Sequence, residues 1–443
     1  MDVRRAFAIS LVLIVAGRAA ALGPGPAIDS SRLSNGAALL VSEQRNLPLV
    51  FVQVLLDAGG RWDPAGREGV ANLTADLLTE GTTTRSAAEI KEAVDFIGAS
   101  LSASSGSDYA QVSLEVLSDD VDTGIGLLAD VLLRPTFAAE EVARRREAVL
   151  ASIRAAKDNP NDIAARSFRR TLFAGEPYGH PPDGFEESVA RIGREDVLLF
   201  FNRHYRPARA HIIVVGDVQT ADIKTRLERA LAGWNGASGP PFVYPPPAPG
   251  TARSVRIDKP ISQASIIIGH RGIERANPDY EVVSVMSYIL GSGGFSSRMM
   301  ESIRSRAGLA YSVGSYFYPL QLSGSFQIIM QTKNESSAEA IRLARAEVVR
   351  IRDEPVSEAE LNEAKLYLTG SFPLRLDSNA NIVDFVAQLS FYGLGLDYAA
   401  RYIEKVNAVT IADVQRVARQ YLHPDDLVEV VVADLAKAKL TEP

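Results

Sequence analysis

Apolar residues recur along the chain at two spacings, one typical of helices and one typical of strands. In GVANLTADLLTEGTTT, residues 69–84, the apolar positions repeat at helical spacing and predict a helix that Gly81 closes. Residues 139–159 show the pattern of a charged amphipathic helix. Residues 110–117 alternate between polar and apolar side chains and predict a half-buried strand, whereas residues 38–59 predict a hairpin of two strands.

The same order of elements occurs twice. Residues 200–218 resemble residues 418–435, because each combines a helix end, a turn with Tyr and Pro, and a β-branched strand. Residues 90–107 resemble residues 299–316, each with a helix, a glycine turn and a strand. We therefore predict a tandem duplication of about 200 residues per half. Each half follows the order β, long α, β, β, α, α, β, which predicts an α+β fold whose antiparallel-rich sheets are covered on one side by helices.

A proline-rich segment separates the two halves. Residues 235–253, NGASGPPFVYPPPAPGTAR, have the composition of an extended, stiff linker. The sequence therefore predicts four parts along the chain. They are a signal peptide at 1–21, an N-terminal domain at 22–235, a linker at 236–253 and a C-terminal domain at 254–443.

The first residues have the pattern of a secretory signal. Arg4 and Arg5 precede an apolar run at 6–17, and small residues follow at 19–21. The run is shorter than the ~20 residues that span a membrane, so a cleaved signal is favoured over an anchor. The sequence has no cysteine, which suits an oxidising compartment, and we expect an exported, periplasmic protein. A net charge of −7 without a basic run makes nucleic acid a poor candidate partner.

Four motifs, taken in order, resemble those of a known family. They are AGGRWD, EGTTTRSA, RHYRPARAHIIVVGDV and LGSGGFSSRMMESIRSRAGLAYSVGSY. With the duplicated halves, they resemble the pitrilysin/insulinase family of zinc peptidases, and most of all its short bacterial members and the mitochondrial processing peptidase subunits. The resemblance covers residues 30–436. It implies two homologous α+β domains that form half of a clamshell.

The resemblance also indicates that the family's zinc motif, H-x-x-E-H, is lost. The first histidine falls on Asn72, the general-base glutamate on Ala75, the second histidine on Asp76, and a third ligand, a glutamate, on Ser152. Catalytic zinc needs about three protein donors, and without a glutamate at 75 no nearby base is poised to activate water. A calcium ion at Asn72 and Asp76 is an alternative, but two oxygens fall short of its ~6–8 ligands. We expect no metal in this chain and no hydrolysis by the family's mechanism.

The C-terminal half keeps an arginine and a tyrosine at the family's spacing, Arg304 and Tyr311. The resemblance implies that both reach across to the zinc site. The arginine then donates to the substrate carbonyl, and the tyrosine donates to the oxygen that becomes anionic. Arg306 is a neighbouring alternative with the wrong spacing to Tyr311. A solvated arginine and a half-buried tyrosine without catalytic roles are the structural alternative.

Two segments are candidates for substrate binding. The glycine-rich turn at 291–294 resembles family loops that give access to a chamber, and its candidates are Gly293 and Gly294. A phosphate cradle is the alternative there, but the P-loop pattern is missing. The strand at 98–116 corresponds to an edge where the family accepts substrate as an added strand, and the alternative is an ordinary edge strand. Its candidates are Ser100, Ser102 and Ser104.

The histidines of the chain lack the spacing of metal ligands. His204 and His423 occupy similar places in the two halves. This repetition favours a role in a turn or in packing over catalysis.

A lost metal site beside a retained arginine and tyrosine predicts a division of labour between two chains. We expect the non-catalytic subunit of an exported heterodimeric zinc metallopeptidase, with Arg304 and Tyr311 acting in trans during peptide hydrolysis. Zinc would belong to a partner subunit of the same family. The alternative is a homodimeric peptide-binding or holdase-like chamber that uses the strand around Ser102 and hydrolyses nothing. An independent peptidase with a rebuilt site is a third alternative, for which no ligand set is visible.

Overall fold

The computed structural model describes residues 25–237, 239–245 and 253–440. The predicted signal peptide and part of the proline-rich linker lie outside these residues. Within them, no helix is long and apolar enough to span a bilayer.

The strands of the described residues build two sheets, one in each half. They are β1 (Asp29–Arg32), β2 (Ala38–Glu43), β3 (Leu49–Leu56), β4 (Ser100–Ser105), β5 (Ala110–Leu117), β6 (Ala210–Gly216), β7 (Arg253–Asp258), β8 (Gln263–Arg271), β9 (Ala310–Pro319), β10 (Gly324–Lys333) and β11 (Val428–Ala433). The N-terminal sheet has the order β1-β2-β6-β3-β5-β4, and the C-terminal sheet has the order β7-β11-β8-β10-β9.

Most α-helices lie, in chain order, between β3 and β4 or between β5 and β6 in the N-terminal half, and between β8 and β9 or between β10 and β11 in the C-terminal half. They are α1 (Val70–Asp76), α2 (Ala87–Phe96), α3 (Val121–Leu133), α4 (Ala139–Ala156), α5 (Pro160–Leu172), α6 (Glu186–Val189), α7 (Arg194–His204), α8 (Thr220–Ala230), α9 (Tyr280–Ser287), α10 (Ser337–Asp353), α11 (Glu358–Ser371), α12 (Asn379–Tyr392), α13 (Tyr398–Ala408), α14 (Ile411–Tyr421) and α15 (Leu435–Ala438).

The pairing of the strands confirms the predicted duplication. β2 is parallel to β6, and β7 is parallel to β11. The remaining pairs of both sheets are antiparallel and follow the same order in the two halves, with β1 added at one edge of the first sheet. The α+β class, with two antiparallel-rich sheets covered by helices, is therefore confirmed.

The predicted hairpin at residues 38–59 is wrong. Both strands exist, but β6 lies between them, so that Leu40 pairs with Ile213 and Val54 pairs with Ile212. β2 and β3 are mostly buried, as strands inside a sheet are. Such strands need a neighbour on each side, and a neighbour from far along the chain leaves no local signal.

The helices are shorter and more numerous than the pattern predicts. α1 ends at Asp76, before Gly81, and turns follow it. The single long helix expected in each half is divided: α2 follows α1 in the first half, and π-helical segments at 288–292 and 300–306 follow α9 in the second. Between β5 and β6, five helices replace the predicted two.

The halves exchange helices across their interface. α12 of the C-terminal half packs on the N-terminal sheet, where Val386 belongs to the same buried cluster as Leu55 and Ile213. In return, α5 of the N-terminal half packs on the C-terminal sheet, where Phe168 shares a buried cluster with Val430. Each sheet is thus covered on one face by its own helices and on the other by a helix of the other half.

A buried polar network crosses this interface. The guanidinium of Arg61, in the AGGRWD motif, pairs with Asp57 and lies 3.3 Å from the carboxylate of Asp108. Asp108 also accepts hydrogen bonds from the Tyr392 hydroxyl at 3.1 Å and the Gln321 backbone N–H at 2.9 Å, both in the C-terminal half. The motif therefore joins the two halves.

Candidate functional site

The AGGRWD segment also fixes the start of α1. The carboxylate of Asp63 is buried and accepts hydrogen bonds from the backbone N–H groups of Gly69, at 2.6 Å, and Ala71, at 2.8 Å. The residue before the helix provides no side-chain cap. Asp63 therefore satisfies N–H groups that helix formation leaves unpaired, and it holds α1 in place.

The four positions of the lost zinc motif lie on α1 and α4. Ala75 is fully buried in the core, and Asn72 is partly buried. The carboxylate of Asp76 forms an ion pair with Arg145 of α4, 2.9 Å from the guanidinium. Ser152 follows Arg145 by two turns on the same face of α4 and is exposed. The only carboxylate among the four positions, that of Asp76, is thus already paired with an arginine side chain.

This donor set does not fit zinc. Asn72 and Ser152 are neutral, and Asp76 is already paired with a cation that repels a second one. Burial raises the pKa of Asp76, although Arg145 acts in the opposite direction. Across the described ranges, no group of three or more His, Cys, Asp and Glu side chains is placed to hold a metal ion.

Restoring the ligands alone is expected to give only weak zinc binding. The combined variant Asn72→His, Asp76→His and Ser152→Glu supplies the missing donors but leaves the Arg145 guanidinium beside them. Because a unit charge a few ångströms from a divalent ion costs more than about 1 kcal/mol, adding Arg145→Ala should tighten zinc binding about tenfold. Isothermal titration with zinc measures this difference.

Arg144→Ala is the matched control, because Arg144 pairs with Glu80 and Glu141 and not with Asp76. Equal zinc affinity with Arg144→Ala and Arg145→Ala in the combined variant would contradict the role of the ion pair.

α1 packs against β4, the outermost strand of the N-terminal sheet. The side chains of β4 alternate between its two faces, with Leu101 and Ala103 packed against the core and the serines exposed. Among the described strands β4 pairs only with β5, so the backbone groups of its outer edge can pair with an extended peptide. The exposed serines are Ser100, Ser102 and Ser104.

A β-bulge determines the direction of Tyr311. In β9, Ala310 pairs with Thr332 and Ser312 pairs with Gln331, so Tyr311 is an extra residue without a partner in β10. Its side chain is 72% exposed. The bulge therefore turns this ring away from the core.

The structure brings Arg304 and Tyr311 together. The guanidinium of Arg304 lies between two exposed rings, with its Cζ atom 5.6 Å from the ring centroid of Tyr311 and 4.9 Å from that of Phe295. Cation–π contacts hold the charge there, and no carboxylate among the described residues lies within ion-pair distance of it. The alternative, Arg306, instead pairs with Glu301 at 2.9 Å. The charge of Arg304 and the hydroxyl of Tyr311 remain open to a ligand.

The glycine-rich turn sets the position of this pair. A Cβ atom on Gly291 would lie 2.3 Å from the Ser315 hydroxyl of β9, so only glycine allows this approach. Gly294 has a φ of +61°, in the left-handed region, where the chain turns toward Phe295. The N–H of Gly293 donates to the carbonyl oxygen of Tyr288 at 3.0 Å.

An ion pair anchors the same segment to α11. The buried guanidinium of Arg298 donates to Glu360 at 2.6 and 3.0 Å. Burial acts to raise the pKa of Glu360, but hydrogen bonds from Arg298 and Ser357 lower it to about 2. The folded carboxyl therefore releases its proton more readily than the unfolded one. The stability this gives is present above the unfolded pKa of about 4.3 and is lost as the pH falls towards 2.

We expect this pair to contribute about 1–2 kcal/mol at neutral pH, after allowance for solvent screening. Glu360→Gln should lower the free energy of unfolding by that amount at pH 7 and by much less at pH 3. Urea unfolding at the two values measures it. The control is Glu363→Gln on the same helix, and an equal loss at both pH values would contradict the assignment.

The histidines are packed against aromatic or backbone groups. The ring of His204 lies 4.7 Å from that of Trp62 and 4.6 Å from that of Phe200, and burial lowers its pKa to about 4. The ring of His270 accepts a hydrogen bond from the backbone N–H of His423 at 3.1 Å. These contacts agree with the predicted packing role of His204 and His423.

Comparison with known proteins identifies the family. The family model described as "Insulinase (Peptidase family M16)" matches residues 39–182, and the one described as "Peptidase M16 inactive domain" matches residues 191–368. An uncharacterised zinc protease of Mycobacterium bovis is 30% identical over 378 residues, which cover 84% of this chain and 85% of that protein. The chain belongs to the insulinase family, peptidase family M16. It is a member in which the zinc motif is lost.

Two further proteins also match along most of their length. A Pseudomonas fluorescens structure described as a peptidase M16 inactive domain has a TM-score of 0.87 and 30% identity, covering 94% of this chain and all of that one. A Helicobacter pylori protein described as a non-peptidase homologue, YmxG, is 24% identical over 403 residues, which cover 90% of this chain and 93% of that protein.

Two residues of the site, Arg145 and Phe295, were not predicted from the sequence. Arg145 stands seven positions before Ser152 in an amphipathic helix, a spacing that puts both on one helical face. Phe295 directly follows the glycine-rich turn. In this chain the guanidinium of Arg145 pairs with Asp76, the position of the second histidine in the zinc motif.

Proposed function

We propose that this chain is the non-catalytic subunit of an exported heterodimeric zinc metallopeptidase. A partner subunit of the same family would carry H-x-x-E-H and the zinc, and peptides would be the substrates. One contrast carries the proposal. Asp76 is paired with Arg145 where the family binds metal, whereas the half-buried Arg304 lies beside the exposed Tyr311 without a carboxylate partner among the described residues.

The geometry supports a role for Arg304 and Tyr311 in stabilising charge on a substrate held by the partner. The guanidinium is fixed by two aromatic rings and has donors free for a peptide carbonyl. The exposed Tyr311, whose ring lies beside this guanidinium, would donate its hydroxyl hydrogen to the oxygen that becomes anionic. Donors that are positioned before the reaction lower the barrier by about 3–4 kcal/mol each. The rest of the chain would close over the partner's site and exclude water.

The relatives also support a subunit without its own hydrolytic site. The P. fluorescens structure is described as an inactive domain, and the H. pylori relative is described as a non-peptidase homologue. The signal-like first residues favour export. The open edge of β4 would contribute to peptide binding through Ser100, Ser102 and Ser104.

The test compares the purified chain with the complex isolated from its own host. Both are incubated with a labelled unstructured peptide, with and without a chelator. We expect that the complex hydrolyses the peptide, that the chelator abolishes this hydrolysis, and that the chain alone does not hydrolyse the peptide. Hydrolysis by the chain alone would contradict it, and binding without hydrolysis by a homodimer would favour the peptide-binding chamber.

A further inference from the structure

The duplication places a second cleft in the C-terminal half, equivalent to the one that carries the lost zinc motif. In the first half, α1 packs against the edge strand β4 and against α4. In the second half, α9 packs in the same way against the edge strand β9 and against α11. In the first cleft the carboxylate of Asp76 is paired with Arg145, whereas the second cleft is open to solvent.

The open cleft contains a cavity of about 190 Å³. This is the volume of roughly six water molecules, enough for an amino-acid side chain but below the ~300 Å³ at which cofactor pockets begin. Hydroxyl and aromatic groups from α9, the following π-helical segment, β9 and α13 line it. They include Ser284, Ser287, Ser292, Tyr316 and Tyr402.

Arg375 gives this cavity its charge. It lies in the short helical turn Phe372–Arg375 directly after α11 and is exposed. Its Cζ atom lies 5.6 Å from the ring centroid of Tyr402 and 5.8 Å from that of Phe372, and these two rings stack on each other. Within the described part of the chain, no carboxylate lies within ion-pair distance of this guanidinium. A cation is therefore held on the lining without a counter-ion.

The free edge of β9 runs beside the cavity. β9 is the last strand of its sheet and pairs only with β10 among the described strands. A peptide paired along that edge directs every second side chain to the helix-covered face, where the cavity lies between β9, α9 and α11. Tyr316 and Phe317 of β9 are themselves part of the lining.

We propose that this cavity is a second peptide subsite, in which a carboxylate of an extended peptide along β9 binds the guanidinium of Arg375. The inference rests on the proposed function in taking peptides as the ligands. The subsite would give the chain a preference for acidic peptides, and the residue responsible, Arg375, is separate from Arg304 and Tyr311. The carboxylate can come from a side chain or from the peptide C-terminus, and the experiment separates these sources.

The test measures fluorescence anisotropy of the purified chain with three short labelled peptides of Ser and Thr. One carries a central Glu and an amidated C-terminus, the second carries Gln in its place, and the third is the Gln peptide with a free C-terminus. We expect the Glu peptide or the free-carboxylate peptide to bind about fivefold tighter than the amidated Gln peptide. Which of the two binds tighter identifies the source of the carboxylate.

The variant Arg375→Gln should abolish this preference, and Arg375→Lys should keep part of it. Arg401→Gln is the matched control, because Arg401 is exposed in the same half and pairs with Asp397. Equal binding of all three peptides, or a preference that survives Arg375→Gln, would overturn the subsite. If the three peptides bind equally but the isolated complex still hydrolyses peptides, the subsite is wrong and the proposed function stands. If the preference depends on Arg375 but no zinc-bearing partner is found, the subsite stands and the proposed function is wrong.

Discussion

Replacing Tyr311 with Phe is expected to lower kcat of the assembled peptidase about 100-fold and to leave assembly intact. The phenylalanine ring can still pack on the Arg304 guanidinium, so the substitution removes only the hydroxyl. The loss should fall on kcat and kcat/KM together, because the proposed hydrogen bond strengthens as negative charge develops. Initial rates on the native complex, reconstituted with the variant chain, measure it.

Tyr318→Phe is the matched control for this experiment. Tyr318 lies on the same strand, β9, and is 45% exposed, but its ring lies beside that of Tyr316 and not beside Arg304. Its loss should change kcat by less than about twofold. An unchanged kcat for Tyr311→Phe in an intact complex would remove Tyr311 from the mechanism, whereas loss of assembly would show that the ring acts in subunit contact.

The substitution Asp108→Ala should have the largest effect on stability, about 3 kcal/mol or more. The carboxylate is buried and accepts hydrogen bonds from Arg61, Tyr178, Tyr392 and the Gln321 backbone N–H. Its removal leaves the hydroxyls of Tyr178 and Tyr392 and the Gln321 N–H without this acceptor, and it weakens the contact between the halves. Urea unfolding followed by tryptophan fluorescence should show an earlier and broader transition, because the halves then unfold less cooperatively.

Asp95→Ala is the control, since Asp95 is exposed in the same half. It should leave the urea midpoint within the error of the measurement. Equal midpoints for Asp95→Ala and Asp108→Ala would contradict the role of the buried network.

The sequence predicts the elements better than their arrangement. β5 and the amphipathic helix α4 are found where the apolar period places them, since one face of each element meets the core. The pairing of β2 with β6 could not be predicted in this way, because the two strands are far apart in the chain and both are almost wholly buried. The exchange of α5 and α12 between the halves is a tertiary contact of the same kind.

For the candidate site, too, the sequence shows the residue types but not the contacts between them. The loss of zinc donors is visible from the residue types at 72, 75, 76 and 152, because donor chemistry needs no structure. The ion pair between Asp76 and Arg145 joins two helices and depends on their packing. The stacking of Arg304 between Phe295 and Tyr311 depends on a β-bulge and on a glycine turn, and neither has a regular period.

Whether a zinc-bearing subunit accompanies this chain is tested by isolating the tagged protein from the exported fraction of its own host and sequencing the chains that co-purify. We expect a near-stoichiometric second chain of the M16 family that carries H-x-x-E-H. Such a partner would place the metal in the neighbouring subunit and leave Arg304 and Tyr311 to act across the interface. Recovery of this protein alone, or only with copies of itself, would show that it is not a subunit of such a heterodimer.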